Sequence, residues 1–107
     1  MHNSEEEYKK LTNKEINTKI KEVDNWHING SKIIKKITLD NMNQTAKFFN
    51  IVAMESENLN HHPDIQINHG TEITITLTTN YIQALSQYDF WLAKKIDLIK
   101  IWELNNI

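Results

Sequence analysis

Residues 73–78 alternate without a break, with Ile73, Ile75 and Leu77 set between Thr74, Thr76 and Thr78. A period of two puts the aliphatic side chains on one face of the chain and the threonines on the other. β-Branched residues on both faces suit a pleated strand far better than a helix. This segment commits the chain to a sheet with one buried face, and the rest of the sequence must supply partners and a cover for it.

The partners can be read on either side. Ile65 and Ile67 alternate with polar residues after Pro63, and Asn68-His69-Gly70-Thr71 forms a turn into the 73–78 strand. Earlier, extended segments Trp26–Ile28 and Lys32–Thr38 flank Asn29-Gly30, a strong hairpin signal. Three helices supply the cover. Thr12-Asn-Lys-Glu15 has the spacing of a capping box and opens a short helix with Ile16, Ile20 and Val23 on one face. Asp40 is the expected cap of a longer helix, with Met42, Ala46, Phe49, Val52 and Ala53 inward, running toward Glu57. Ser86-Gln-Tyr-Asp89 opens the last helix, with Leu92, Ala93, Ile96 and Ile99 inward and Trp102 a further candidate.

The order α-β-β-α-β-β-α predicts a single α+β domain, a four-stranded antiparallel sheet with helices packed on one face. At 107 residues there is room for one core. Residues 1–10 read as an N-terminal extension with an extra helical turn starting at Ser4, and residues 11–107 as the domain. Open sheet edges favour pairing with a second subunit, so a homodimer or homotetramer is expected.

Composition narrows the function. Net charge is −2, which gives no electrostatic footprint for nucleic acid or a membrane surface. All twelve basic residues are Lys, so no guanidinium fork is available to clamp a phosphate. There is no cysteine, hence no disulfide, thiolate nucleophile or Cys-based zinc site. The polar, acidic start is no signal peptide, and no apolar run approaches the ~20 residues of a membrane span. A cytoplasmic protein is expected.

Chemistry concentrates in Glu57-Asn-Leu-Asn-His61-His62-Pro63. On a helix Glu57 and His61 are neighbours on one face. Pro63 disfavours the α region for His62, so the second imidazole should leave on a turning backbone. Two groups that titrate near neutral pH, with an acid beside one of them, suit proton transfer to and from a small organic substrate. Adjacent histidines point apart and no third ligand has suitable spacing, so no metal site is expected.

These stretches, in this order, resemble the pterin-4a-carbinolamine dehydratases. The resemblance rests on Trp26 with Ile34, Lys36 and Leu39, on Ala46, Phe49 and Val52-Ala53 leading into Glu57–Ile65, and on Leu77-Thr-Thr, Leu85-Ser86, Asp89 and Leu92-Ala93. It covers roughly residues 11–101. It implies removal of water from 4a-hydroxytetrahydropterin to give a quinonoid dihydropterin, as in tetrahydrobiopterin recycling, without a metal or organic cofactor. It further implies that His61 and His62 are catalytic. Glu57 would orient His61, and Pro63, Thr78, Thr79, Asn80 and Asp89 would shape the pterin site.

The chain departs from the pattern in two places. A third histidine usually follows the Ser/Thr-Thr pair, where this chain has Asn80. An aromatic residue usually lies shortly after the proline, where this chain has His69 and Gly70 in a turn one residue longer. Asn hydrogen-bonds a pterin but does not exchange a proton near neutral pH. A catalytically weakened pterin-binding or protein-partner module of the same fold is therefore the alternative function. Plainer roles stand beside the site roles: Asp89 as a first-turn acid favoured by the helix dipole, His69 as a turn residue, and the Lys35-Lys36 and Lys94-Lys95 pairs as solvated faces. Trp26, Phe48, Phe49, Trp91 and Trp102 read as core or subunit-contact residues.

Overall fold

The computed structural model describes residues 8–106, so the turn expected from Ser4 lies outside the described residues. The elements are α1 (Asn13–Lys19) with a 3₁₀ turn at Ile20–Glu22, β1 (His27–Asn29), β2 (Lys32–Thr38), α2 (Met42–Leu59), β3 (Asp64–Asn68), β4 (Glu72–Leu77), α3 (Gln87–Asp97) and a 3₁₀ segment, Ile101–Asn106. The four strands form one antiparallel sheet in the order β1-β2-β4-β3. The expected α+β domain is thus the observed one, with β4 inside the sheet, between β2 and β3.

Register explains why one face is buried. Ile33 pairs with Leu77, Lys35 with Ile75, and Ile37 with Ile73, while Ile65 and Ile67 pair with Ile75 and Ile73 from the other side. These side chains share a face, and Ile33, Ile73, Ile75 and Leu77 are fully buried there against Phe48, Val52, Phe90, Leu92 and Ile96. The opposite face carries Lys36, Thr74 and Gln66 in one cross-strand row. The β1–β2 loop is Gly30-Ser31 rather than Asn29-Gly30, since Asn29 pairs with Lys32. Gly30 takes the first loop position at φ +61°, the conformation that a tight two-residue hairpin asks of glycine.

Both capping boxes form, at Thr12/Glu15 and Ser86/Asp89. The cap of α2 is Asn41, not Asp40; its side chain accepts from the Gln44 N–H at 2.8 Å. The buried face of α2 also differs from the apolar stripe. Met42, Ala46 and Phe49 are exposed, and the helix buries Gln44, Thr45, Phe48, Val52 and Ser56. Polar residues can face the core because they bond locally: Thr45 Oγ1 donates to the Asn41 carbonyl and Ser56 Oγ to that of Val52.

Lys35 is another correction, since it lies on the core face and is buried. Its Nζ reaches Asp97 Oδ1 at 2.7 Å, and the same carboxylate accepts from Trp26 Nε1 and the Asp24 N–H, each at 2.8 Å. The cluster ties the first hairpin to the end of α3. Trp102 is 73% exposed and not inward; Leu104 fills the core from the last segment instead. The α2 register sets an unequal cost for neighbouring phenylalanines. Phe48→Ala should lose about 3–5 kcal/mol, and Phe49→Ala within about 1 kcal/mol, in urea unfolding. Equal losses would mean the helix is rotated.

Candidate active site

The site begins where α2 stops. Asn60 adopts the left-handed conformation (φ 54°); its N–H bonds the Glu57 carbonyl at 3.1 Å, and the His61 N–H bonds the Ser56 carbonyl at 3.0 Å. This is a Schellman closure, in which an Asn supplies the left-handed residue that most side chains resist. It turns the chain before His61, so Glu57 and His61 never share a helical face. Glu57 Oε2 instead meets His62 Nε2 at 2.5 Å, on a well-exposed pair. The expected Glu57–His61 pairing is therefore replaced by Glu57–His62.

His61 turns inward to a different acid. Its Nε2 lies 2.6 Å from Oδ1 of Asp89, and the two groups are 7% and 0% exposed. Asp89 Oδ2 accepts from Thr79 Oγ1 at 2.8 Å and from the Ser86 N–H at 3.0 Å. Thr79 has one hydroxyl proton and gives it to the carboxylate, so Ser86 Oγ must donate across the 2.7 Å contact to Thr79. By the same logic Nε2 of His61 carries a proton toward Asp89, and Nδ1 is its remaining ring nitrogen. Asp89 is thus both the capping-box acid of α3 and the anchor of His61.

The facing wall is the segment after β4. A bridge between Thr79 and Ala84 closes a tight loop, with Asn80 and Tyr81 exposed at its tip. His61, His62, Asn60, Thr78, Thr79, Asn80, Tyr81 and Tyr8 line one open cleft of about 170 Å³. That is smaller than the ~300–1,000 Å³ typical of drug-sized ligands, so it suits a small molecule or one edge of a larger one. A larger depression of about 560 Å³ beside Lys35 and Asp97 has its central charges already paired.

Five of the residues expected at the site therefore meet in one cleft: His61, His62, Thr78, Thr79 and Asn80. Glu57 and Asp89 join through the imidazoles. Pro63 follows the histidines without lining the cleft, and His69 stays in its turn at φ 55°. Thr78 donates its hydroxyl to the Ser31 carbonyl at 2.7 Å. Tyr8 and Tyr81 carried no sequence signal, because nothing in the local pattern joins residue 8 to residue 81. Among the described residues no group of three or more His, Cys, Asp or Glu could hold a metal ion.

Removing one donor should expose the dependence of this cluster on Asp89. Thr79→Val should cost about 1–3 kcal/mol of unfolding free energy, because the buried carboxylate loses a donor and Ser86 an acceptor. Thr78→Val, at a more exposed bond, should cost no more than about 1 kcal/mol. Chemical denaturation decides, and equal costs would mean the network does not anchor the site.

Known proteins repeat this arrangement of elements. A relative from Sulfurisphaera tokodaii, provisionally named a pterin-4-alpha-carbinolamine dehydratase, is 34% identical over 89 residues, covering 83% of this chain and 95% of its own. A Nitrosospira multiformis protein with the same provisional name is 36% identical over 89 residues, covering 83% and 78%. Among solved structures, a transcriptional coactivator/pterin dehydratase from Brucella melitensis superimposes with a TM-score of 0.77 at 23% identity, over 82% of this chain and 95% of its own. A pterin dehydratase-like protein identified as a RuBisCO assembly factor in the alpha-carboxysome gives 0.59 at 23%, over 69% and 87%. At that identity the two structures speak for the fold alone. The model of the pterin 4 alpha carbinolamine dehydratase family matches residues 9–99, and the chain belongs to that family.

Proposed function

We propose that the protein dehydrates 4a-hydroxytetrahydropterin to the quinonoid dihydropterin, with His61 and His62 as the proton-transfer groups. The observation that carries this reading is that each imidazole is bound through Nε2 to its own carboxylate, Asp89 or Glu57, beside one cleft. A carboxylate so placed fixes the ring tautomer and balances the charge that the imidazole takes on when it accepts a proton.

The reaction needs two proton movements. The C4a–O bond breaks with its electron pair going to oxygen, which takes a proton and leaves as water. The N5 proton goes to a base, and the N5–H bonding pair becomes the second bond of C4a=N5. His61, buried and oriented by Asp89, is assigned the base, accepting at Nδ1. His62, 59% exposed on its side chain and beside Glu57, is assigned the acid, because it can exchange protons with solvent between turnovers. Asn80 offers an amide donor and acceptor for a heterocycle edge but no acid or base that titrates near neutral pH.

Asn80 also supports a second reading, a module that keeps the fold and serves a protein partner. The carboxysomal neighbour, identified as an assembly factor, is a pterin dehydratase-like protein with that kind of role. Assembly as a homodimer or homotetramer through sheet edges or helices fits either reading.

The deciding measurement is the rate of quinonoid product formation from freshly generated 4a-hydroxytetrahydropterin. On the enzyme reading the native rate stands well above background, and His61→Ala lowers it by about 10²–10⁴-fold. Asn80→His should leave an active native enzyme changed by less than about 10-fold. A native rate at background that Asn80→His lifts sharply would move the function to the partner module.

A further inference from the structure

We propose that Tyr8 is a substrate-binding residue, and that its ring and that of Tyr81 form an aromatic wall against which the flat, conjugated aminopyrimidinone part of a pterin packs. The inference rests on the pterin reading above and adds to it a residue outside the family match, which begins at residue 9. Tyr8 lines the same cleft as His61, His62 and Asn80. Its ring centroid lies 5.1 Å from that of Tyr81, tilted by 43°, and 5.7 Å from that of Tyr88. Tyr88 in turn lies 6.0 Å from the His61 ring and packs edge-on to Trp91. A chain of aromatic rings thus runs from the cleft wall back to the buried imidazole.

Position separates this cluster from ordinary core packing. Tyr88 is buried, but Tyr81 remains 64% exposed although it touches Tyr8. Two rings side by side at the mouth of a polar cleft present apolar faces where little else is apolar. The Tyr8 segment is also held in place: three residues on, the Leu11 N–H bonds the Leu85 carbonyl at 3.0 Å, and Leu11 itself is buried. Flat heteroaromatic ligands gain most from such faces, because stacking needs no particular hydrogen-bond pattern. Asn80 brings no ring to the cleft, so Tyr8 and Tyr81 supply the aromatic surface.

Four proteins test the proposal: native, Tyr8→Ala, Tyr8→Leu and Tyr8→Phe. Each is assayed for biopterin binding by calorimetry, for dehydration kinetics, and for melting temperature. Tyr8→Ala and Tyr8→Leu should weaken biopterin binding and raise KM by about 5- to 100-fold, with kcat held within about threefold, while Tyr8→Phe stays near native. Leucine keeps apolar bulk without a planar face, so recovery of native binding in Tyr8→Leu would make Tyr8 a packing residue and overturn the proposal. Native binding in Tyr8→Ala would overturn it too, leaving the function intact. If the native protein neither binds biopterin nor turns over, the pterin reading fails first, and the wall falls with it.

Discussion

A carboxylate with no exposed surface is tolerable only if donors surround it, and the Asp89 carboxylate sets the terms for everything near the cleft. Its three donors come from three parts of the chain. Ser86 belongs to the N-cap of α3, Thr79 to the segment leaving β4, and His61 to the turn after α2. Withdrawing any of them would strand charge in the core, so the end of α2, the end of β4 and the start of α3 are held in one arrangement. The orientation of His61 is therefore a consequence of folding, established before any ligand arrives.

The elements whose evidence is local were legible in the sequence. Alternation at Ile73, Ile75 and Leu77 marked strand β4, though not its inner place in the sheet. The Thr12/Glu15 and Ser86/Asp89 spacings placed two helix starts, because a capping box is a contact between residues three apart. The two histidines and Asn80, singled out from the sequence, do share a cleft. What local pattern could not give was the direction in which a helix ends. Asn60 in the left-handed conformation redirects His61 by one backbone rotation, and the partner of each imidazole changes with it.

The remaining misreadings concern residues whose own chemistry permits more than one environment. Taking the apolar residues of α2 as the buried stripe favours Met42 and Phe49, yet Thr45 and Ser56 are buried in their place because their hydroxyls are satisfied within the helix. Lys35 reads as solvated until Asp97, 62 residues away, is known to meet it. Tyr8 reads as part of an extension until Tyr81 is brought beside it. The Lys35 and Tyr8 pairings are long-range, whereas those of Thr45 and Ser56 lie within one helical turn.

The division between a buried and an exposed imidazole bears on how a two-histidine site could work at all. A proton taken up by a base sealed under the fold must be returned before the next turnover, and a group that is 7% exposed returns it slowly unless a relay or an open cleft reaches its free nitrogen. The cleft here is open, and His62 beside it is in contact with solvent through most of its ring. On the proposed mechanism that asymmetry substitutes for a third titrating side chain. His61 is held rigidly enough to meet one substrate atom, His62 stays free to trade protons with water, and Asn80 is left the simpler task of holding the heterocycle's edge. On that mechanism the site needs no histidine opposite the pair so long as binding is kept strong by other means, and the proposed Tyr8–Tyr81 wall would be one such means.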